Sequence, residues 1–274
     1  KVEYDHDDYG NTLREDHHGF LSVNNDQQTV RHYYFNLNDP GQELWLVGLK
    51  WAENRYDGIT TDESNLKAQK LWYYDDLTYD PTRYGHTEQI DAGKITMELE
   101  GQYSTGEYVT TTYAYDPEWG NLTDTWDSLG RNTHFEYDPL HLYLVQTRKE
   151  LNGSNDEHVS TVEYYGVNGI PADYGLPGQV RREIDPNGAS VTYRYDGLGR
   201  VTHIAAPDDA ADAITRPCPD PAGASTCFQY VDIGTPGFQR VIKRMGRSST
   251  WQESFLDGLG RTIQIHQQAE DGQE

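Results

Sequence analysis

The sequence predicts an all-β fold of short antiparallel hairpins, and three observations carry that reading. One strand lies between two turns in the stretch from Ile184 to Thr202. The same turn recurs at 11-residue spacing, as from Asp185 to Asp196, over much of the chain. The composition is poor in aliphatic residues and rich in aromatic ones: 35% hydrophobic overall, 12% aromatic, with 21 tyrosines in 274 residues. Burial must then come from Tyr and Trp, which cover wide sheet surfaces while their polar tips stay wet.

In the clearest unit, Asp185-Pro186-Asn187-Gly188 is turn chemistry: Asp caps its own backbone, Pro presets φ, and Gly accepts the positive φ that closes the turn. Asp196-Gly197-Leu198-Gly199 is the second turn. Between them Val191, Tyr193 and Tyr195 alternate with Ser190, Thr192 and Arg194, a period of two that signals a strand. Removing about four turn residues from the spacing leaves roughly the usual 5–6 residues of a strand.

Copies follow in register. Tyr115-Asp116 with Gly120, Trp126-Asp127 with Gly130 and Arg131, and Tyr137-Asp138 repeat the pattern, and Asp257, Gly260 and Arg261 nearly duplicate Asp196, Gly199 and Arg200. Asp80 and Asp91, with Gly85 and Gly93, read as looser copies, as do Asp5 and Asp16, with Gly10 and Gly19. A repeat of this kind decides architecture before any single residue does. An 11-residue period also suits a right-handed coiled coil, but Gly or Pro in every unit breaks such helices.

The recurring aromatic-Asp-x-x-Gly-(Arg/Asn) resembles the YD repeat of the RHS family. Tyr195-Asp196-Gly197-Leu198-Gly199-Arg200, with the Asp-Pro-Asn-Gly turn before it, is similar to the toxin branch of that family, the B component of Tc (ABC) insecticidal toxin complexes and the SpvB-like proteins. The resemblance implies a curled, twisted sheet that forms part of a hollow shell. It also implies a secreted bacterial protein whose partners are the rest of the shell, an enclosed effector polypeptide and other toxin-complex subunits. Full-length members of the branch carry an aspartyl self-cleavage segment, of which Asp185 to Gly188 match only a few letters, so no catalytic residue is carried over.

In chain order, 1–100 reads as a divergent RHS-like segment similar to the middle region of the Tc B component. Within it, Arg31 to Leu37 and Leu44 to Trp51 are predicted strands, while Thr60 to Trp72 suits either a short helix capped by Asp62 or Ser64 or a strand. Residues 101–204 are hairpins, with a long loop or protruding hairpin near 152–178, rich in Asn, Gly and Pro. Residues 205–240 form an insertion, read as a surface excursion, and 241–274 return to the repeat. Cys218 and Cys227 bracket a short proline-bearing loop and are either a disulfide in an oxidising compartment or two separate thiols. The chain reads as an excerpt of a longer polypeptide.

The formal net charge of −23 disfavours nucleic acid and anionic membrane surfaces, because phosphate binding needs clustered Lys and Arg. There is no apolar run of membrane length, so no membrane insertion is expected of this segment. Asp5, Asp7, Gly10 and Asp16 coincide with positions 1, 3, 6 and 12 of an EF-hand loop, yet Tyr9 stands at position 5 and no amphipathic helices flank it. Phosphate-loop, zinc-protease and serine-hydrolase motifs are missing. The expectation is a non-enzymatic chain with no catalytic residue, metal or cofactor. Tyr115, Trp126, Tyr137 and Tyr195 are expected to pack successive units. The alternative is a carbohydrate- or receptor-binding adhesin, in which Trp119 and Trp126 near the turns stack on sugars.

Overall fold

The computed structural model describes residues 1–19, 27–39, 44–75, 90, 92–102, 106–151, 156–218, 220, 223–235, 237–245 and 250–268. Among them are eighteen strands, and the only helical pieces are single 3-10 turns at Glu63–Asn65 and Ala213–Thr215. The all-β reading holds. The first strands are β1 (Val2–His6), β2 (Thr12–His17), β3 (Gln28–Asp39), β4 (Leu44–Asp57), β5 (Leu66–Tyr74) and β6 (Ile95–Gln102). Next come β7 (Glu107–Tyr115), β8 (Leu122–Trp126), β9 (Asn132–Tyr137), β10 (Leu144–Glu150), β11 (Glu157–Tyr164) and β12 (Val180–Ile184). The last six are β13 (Ser190–Tyr195), β14 (Val201–Ala205), β15 (Thr226–Val231), β16 (Arg240–Met245), β17 (Trp251–Leu256) and β18 (Thr262–Gln267).

The chain divides into two compact units, Lys1–His134 with Glu150–Asn155, and Phe135–Lys149 with Asp156–Glu274. In the first, each strand from β1 to β8 pairs antiparallel with the next. In the second, the same meander runs from β11 to β18.

The core of the first unit lies on β3 to β6. Ala52, Leu71, Tyr73 and Leu99 form one buried cluster, with Tyr33, Trp51, Met97 and Tyr108 packed against it. Phe35, Tyr74 and Ile90 form another. The register explains Trp51: Tyr33 faces Ala52 and Tyr34 faces Lys50, so Trp51 is an extra, bulged residue. A bulge turns one side chain out of strict alternation and bends the strand, which places Trp51 beside both clusters. In the second unit burial concentrates where connections fold back. Tyr165 is fully buried after β11, and Ala205, Ala213, Ile214 and Ala224 pack together.

Two alternatives left open by the sequence are resolved here, and other expectations are corrected. Leu66 to Leu71 is strand, the second of the two alternatives, and it continues to Tyr74, with Leu71 and Tyr73 in one buried cluster. The capping residue nevertheless acts as such: Asp62 accepts the Ser64 N–H and opens the 3-10 turn before it. The stretch 152–178 is not loop throughout, since β11 occupies 157–164. The excursion between β14 and β15 is not a bare surface loop: it packs Ala213 and Ile214, and Arg194 donates to the Ile214 carbonyl at 3.1 Å. Cys218 and Cys227 are joined as a disulfide, with Cα atoms 6.1 Å apart. Asp80, Gly85, Asp91 and the 152–155 stretch lie outside the described residues.

Candidate functional site: the aromatic-aspartate corner

The turns after β8, β12, β13 and β17 share one construction. In the turn after β13, the Asp196 N–H donates to the Arg200 carbonyl and the Gly199 N–H to the Asp196 carbonyl, both at 2.9 Å. The Asp196 carboxylate then accepts the N–H groups of Leu198 (2.9 Å) and Arg200 (3.0 Å). Gly199 has φ of 77°, a left-handed conformation that a side chain resists. Such a loop is a type I turn closed by a left-handed glycine, a common hairpin connection.

Asp127, Asp185 and Asp257 accept the matching pairs of N–H groups at 2.9–3.0 Å. Gly130, Gly188 and Gly260 supply the left-handed residue. Where Arg follows the glycine it clamps the second carboxylate oxygen: Arg131, Arg200 and Arg261 each reach their Asp through Nε at 2.7 Å. Arg200 also lies over the Tyr230 ring at 4.2 Å, tying the corner to β15. Asp127 is held below the usual carboxylate range by the Arg131 side chain and N–H. Asp257 is lowered by the Arg261 N–H and side chain. At Asp196 burial opposes the shift, and hydrogen bonds from Arg200 and Leu198 outweigh it.

The corner tolerates insertion. Asp116 spans one residue more, accepting from Glu118 and Trp119, with Gly120 left-handed. Asp138 likewise spans one more, its N–H donating to the Tyr143 carbonyl and its carboxylate accepting from Leu140, Leu142 and Tyr143, and His141 takes the positive φ in place of glycine. Asp75 does the same across a far longer excursion: it accepts the N–H groups of Ala92, Gly93 and Lys94, and its own N–H donates to the Lys94 carbonyl.

Tyrosines at or near the ends of strands, three of them directly before a corner Asp, have a task of their own. The hydroxyl of Tyr115, last in β7, donates at 2.7 Å to the carbonyl of Ile95, first in β6. Tyr164 of β11 reaches Leu144 of β10 (2.9 Å), Tyr195 of β13 reaches Val180 of β12 (2.9 Å), and Tyr230 of β15 reaches Val201 of β14 (3.0 Å). Tyr74 likewise reaches Lys50 at 2.7 Å. Each bond closes the open end of a hairpin. The pleat is interrupted at the same place: register shifts fall immediately before Tyr74, Tyr115, Tyr164 and Tyr195. Trp126 and Tyr137 end β8 and β9 half-buried, and burial raises the Tyr137 pKa.

Sequence reasoning missed Tyr74-Asp75, because the glycine is remote, and mistook Asp5 for the first corner. The corner Asp there is Asp7, which accepts from Tyr9 and Asn11, while Asp5 and Asp16 lie inside β1 and β2. Asp7-Asp8-Tyr9-Gly10-Asn11 carries the Asp-x-x-Gly spacing and was legible as such.

One further polar cluster sits in the first unit. His32 is buried between Glu15, at 3.0 Å from Nε2, and Glu53, at 3.3 Å from Nδ1. Glu53 is held well below the usual carboxylate range by His32, against its burial, and by Lys50 and Arg55. No group of His, Cys, Asp or Glu among the described residues is arranged to hold a metal ion. A cleft of about 390 Å³ is lined by Arg31, Tyr33, Trp51, Asn54, Tyr56 and Gln69. Its amides are engaged with each other and with Tyr56 and Tyr108. A second cleft, of about 380 Å³, contains Glu136 and Glu163, which pair with Arg148 and Arg181. No helix among the described residues is long and apolar enough to cross a membrane.

Residues 178–211 match the family model described as RHS Repeat. The chain is similar to the crystal structure of TcdB2-TccC3-Cdc42 at 14% identity and a TM-score of 0.49, covering 96% of this chain and 13% of that one. It is also similar to the crystal structure of TcdB2-TccC3-TEV at 12% identity and a TM-score of 0.20, covering 98% of this chain and 20% of that one. It therefore spans a small part of the length of either. No curated protein matches it. The matched residues hold β12, β13, β14 and the corners at Asp185 and Asp196, so the likeness to the RHS Repeat family model falls on that stretch of the chain.

Proposed function

We propose that this chain is a non-enzymatic wall segment of a secreted bacterial RHS-type toxin shell, which encloses an effector polypeptide until delivery. The observation that carries the reading is the corner itself. Asp116, Asp127, Asp138, Asp185, Asp196 and Asp257 all spend their carboxylates on turn N–H groups. Residues committed in this way fix the path of a wall and are not available for proton transfer. The family resemblance supplies the enclosed cargo, and the acidic balance suits a basic one. The partners in this reading are the remainder of the shell, the effector and other toxin-complex subunits, with no nucleic acid, cofactor or metal.

Protease protection in the complete polypeptide tests the proposal. The effector segment should resist digestion in the wild type and become sensitive when a corner is broken by Asp196→Ala. Equal digestion of the effector in both proteins, with the wall intact, would overturn it.

One observation favours a second reading, an adhesin module. Trp119 stands at the tip of its corner, 55% exposed, in a position to stack on a sugar ring. Glycan-array binding that disappears in Trp119→Ala without loss of folding would favour it over the shell.

A further inference from the structure

In the second unit the two ends of the hairpins differ. Because successive strands alternate in direction, the turns after β9, β11, β13, β15 and β17 lie along one edge of the sheet, and the others along the opposite edge. Each turn on the first edge lifts a large apolar side chain into solvent. Leu198 and Leu259 are 75% and 78% exposed, Leu140 and Leu142 67% and 68%, Phe238 64% and Leu176 45%. On the opposite edge, the turn after β12 carries Pro186 and Asn187 at its tip. The connection after β14 buries its apolar residues Ala213 and Ile214.

The tips are rigidly presented. Leu198 and Leu259 each donate their N–H to the corner Asp, and Arg200 and Arg261 neutralise that Asp on the far side. Leu176 adjoins the Leu198 corner: its Cδ1 lies 3.3 Å from where a side chain on Gly199 would begin. Strands spaced at about 4.8 Å put alternate turns about 10 Å apart, so the row repeats with the hairpin period. At roughly 100 Å² each, six such side chains offer on the order of 600 Å², the upper end for an apolar patch on a monomer. A standard interface needs about 800 Å² per partner, a total that flanking turn atoms bring within reach.

We infer that this leucine-tipped edge is an interface for a second copy of the chain, joined edge to edge. The period selects that occupant. A second edge with the same spacing can set its tips between these, in a two-fold, self-complementary contact, whereas a helix offers side chains about every 5.4 Å. Charge permits it at the Leu198 and Leu259 tips, where Arg200 and Arg261 clamp Asp196 and Asp257. The net charge of −23 still repels at a distance, so the association should tighten as salt screens that repulsion.

Sedimentation equilibrium from about 1 to about 100 μM tests the inference, in the micromolar range that an interface of modest area reaches. The expected result is a concentration-dependent dimer, favoured by salt. The pair Leu198→Glu/Leu259→Glu should weaken it at least about tenfold with an unchanged circular dichroism spectrum and melting curve. Leu198→Gln/Leu259→Gln serves as a second pair should the charges disturb folding. Asn187→Glu on the opposite edge should leave the dimer intact. A monomer at every concentration, or a dimer indifferent to both leucine pairs, would overturn the inference. So would co-sedimentation of a monomer with phosphatidylcholine vesicles, which would assign the edge to lipid.

Discussion

The two units bury their residues in different places, although both are antiparallel meanders. In the first, β3 and β4 run 12 and 14 residues, long enough to carry side-chain clusters across their middles. In the second, strands of five to eight residues have little middle to bury. There the polar clasps at the ends of strands, Tyr164 on Leu144 and Tyr195 on Val180, do much of the fastening. The first unit should therefore fail by loss of packing and the second by loss of corners.

The largest expected effect lies in the first unit. Leu71 is 1% exposed among Ala52, Tyr73 and Leu99, and Leu71→Ala should cost about 3 kcal/mol through lost transfer energy and a residual cavity. Hydrogen exchange read strand by strand should show β4 to β6 opening first, with β12 to β14 protected as in the wild type. Equal loss of protection in both units would make the chain one cooperative body and erase the comparison.

Next in size is the corner. Asp196→Ala strands the N–H groups of Leu198 and Arg200 and releases the Arg200 clamp. Since the turn is exposed, water replaces part of what is lost, and a cost of about 2 kcal/mol is expected, as for loss of a strong helix cap. Exchange should now quicken in β13 and β14 and leave β4 to β6 unchanged. Gly199→Val should act in the same direction, because a β-branched residue resists a φ of 77°.

This division was partly legible in the sequence. Asp127, Asp185, Asp196 and Asp257 each keep their glycine three residues on, so local spacing finds them. The Asp75 corner was hidden because its carboxylate reaches Ala92, Gly93 and Lys94 across a long excursion, and a contact set by tertiary return leaves no fixed interval to read. His32 escaped notice for a similar reason: Glu15 and Glu53 come to it from β2 and β4 through register alone. Trp51 was placed in a strand, but its face depended on a bulge, and a bulge overturns the period of two on which facing is assigned. The clasp of Tyr195 on Val180 was read only as packing. Nothing in a tyrosine's neighbours tells which carbonyl its hydroxyl will meet.

Acid should act on both units through their lowered carboxylates, and most on the cluster in the first. Glu53 is depressed by His32, Lys50 and Arg55. A carboxylate whose folded pKa lies below its unfolded value, about 4.3 for Glu, adds stability that is present above that value and is lost as pH falls through the folded pKa. Thermal midpoints should therefore be flat above about pH 5 and decline below about pH 4. Glu53→Gln should lower the midpoint at neutral pH and reduce the decline. A variant that declines as steeply as the wild type would move the acid sensitivity from this cluster to the corners.

The smallest effect isolates a single clasp. Tyr195→Phe keeps the ring, and with it the edge-on contact of Tyr165 at 6.2 Å, and removes only the hydroxyl that donates to the Val180 carbonyl at 2.9 Å. That carbonyl opens the first strand of its hairpin, where water can partly replace the donor. The expected loss is about 1 kcal/mol, the net value of one hydrogen bond. It should be seen in exchange of β12 and β13 and not in the first unit. Tyr115→Phe gives the converse, since its carbonyl partner Ile95 begins β6, and the loss should now appear in β6 and β7. If the two variants loosen the same strands, the clasps do not act hairpin by hairpin. If Tyr195→Phe costs as much as Asp196→Ala, the hydroxyl and the carboxylate fasten the corner as one unit, and the repeat must be read as an inseparable aromatic-Asp pair.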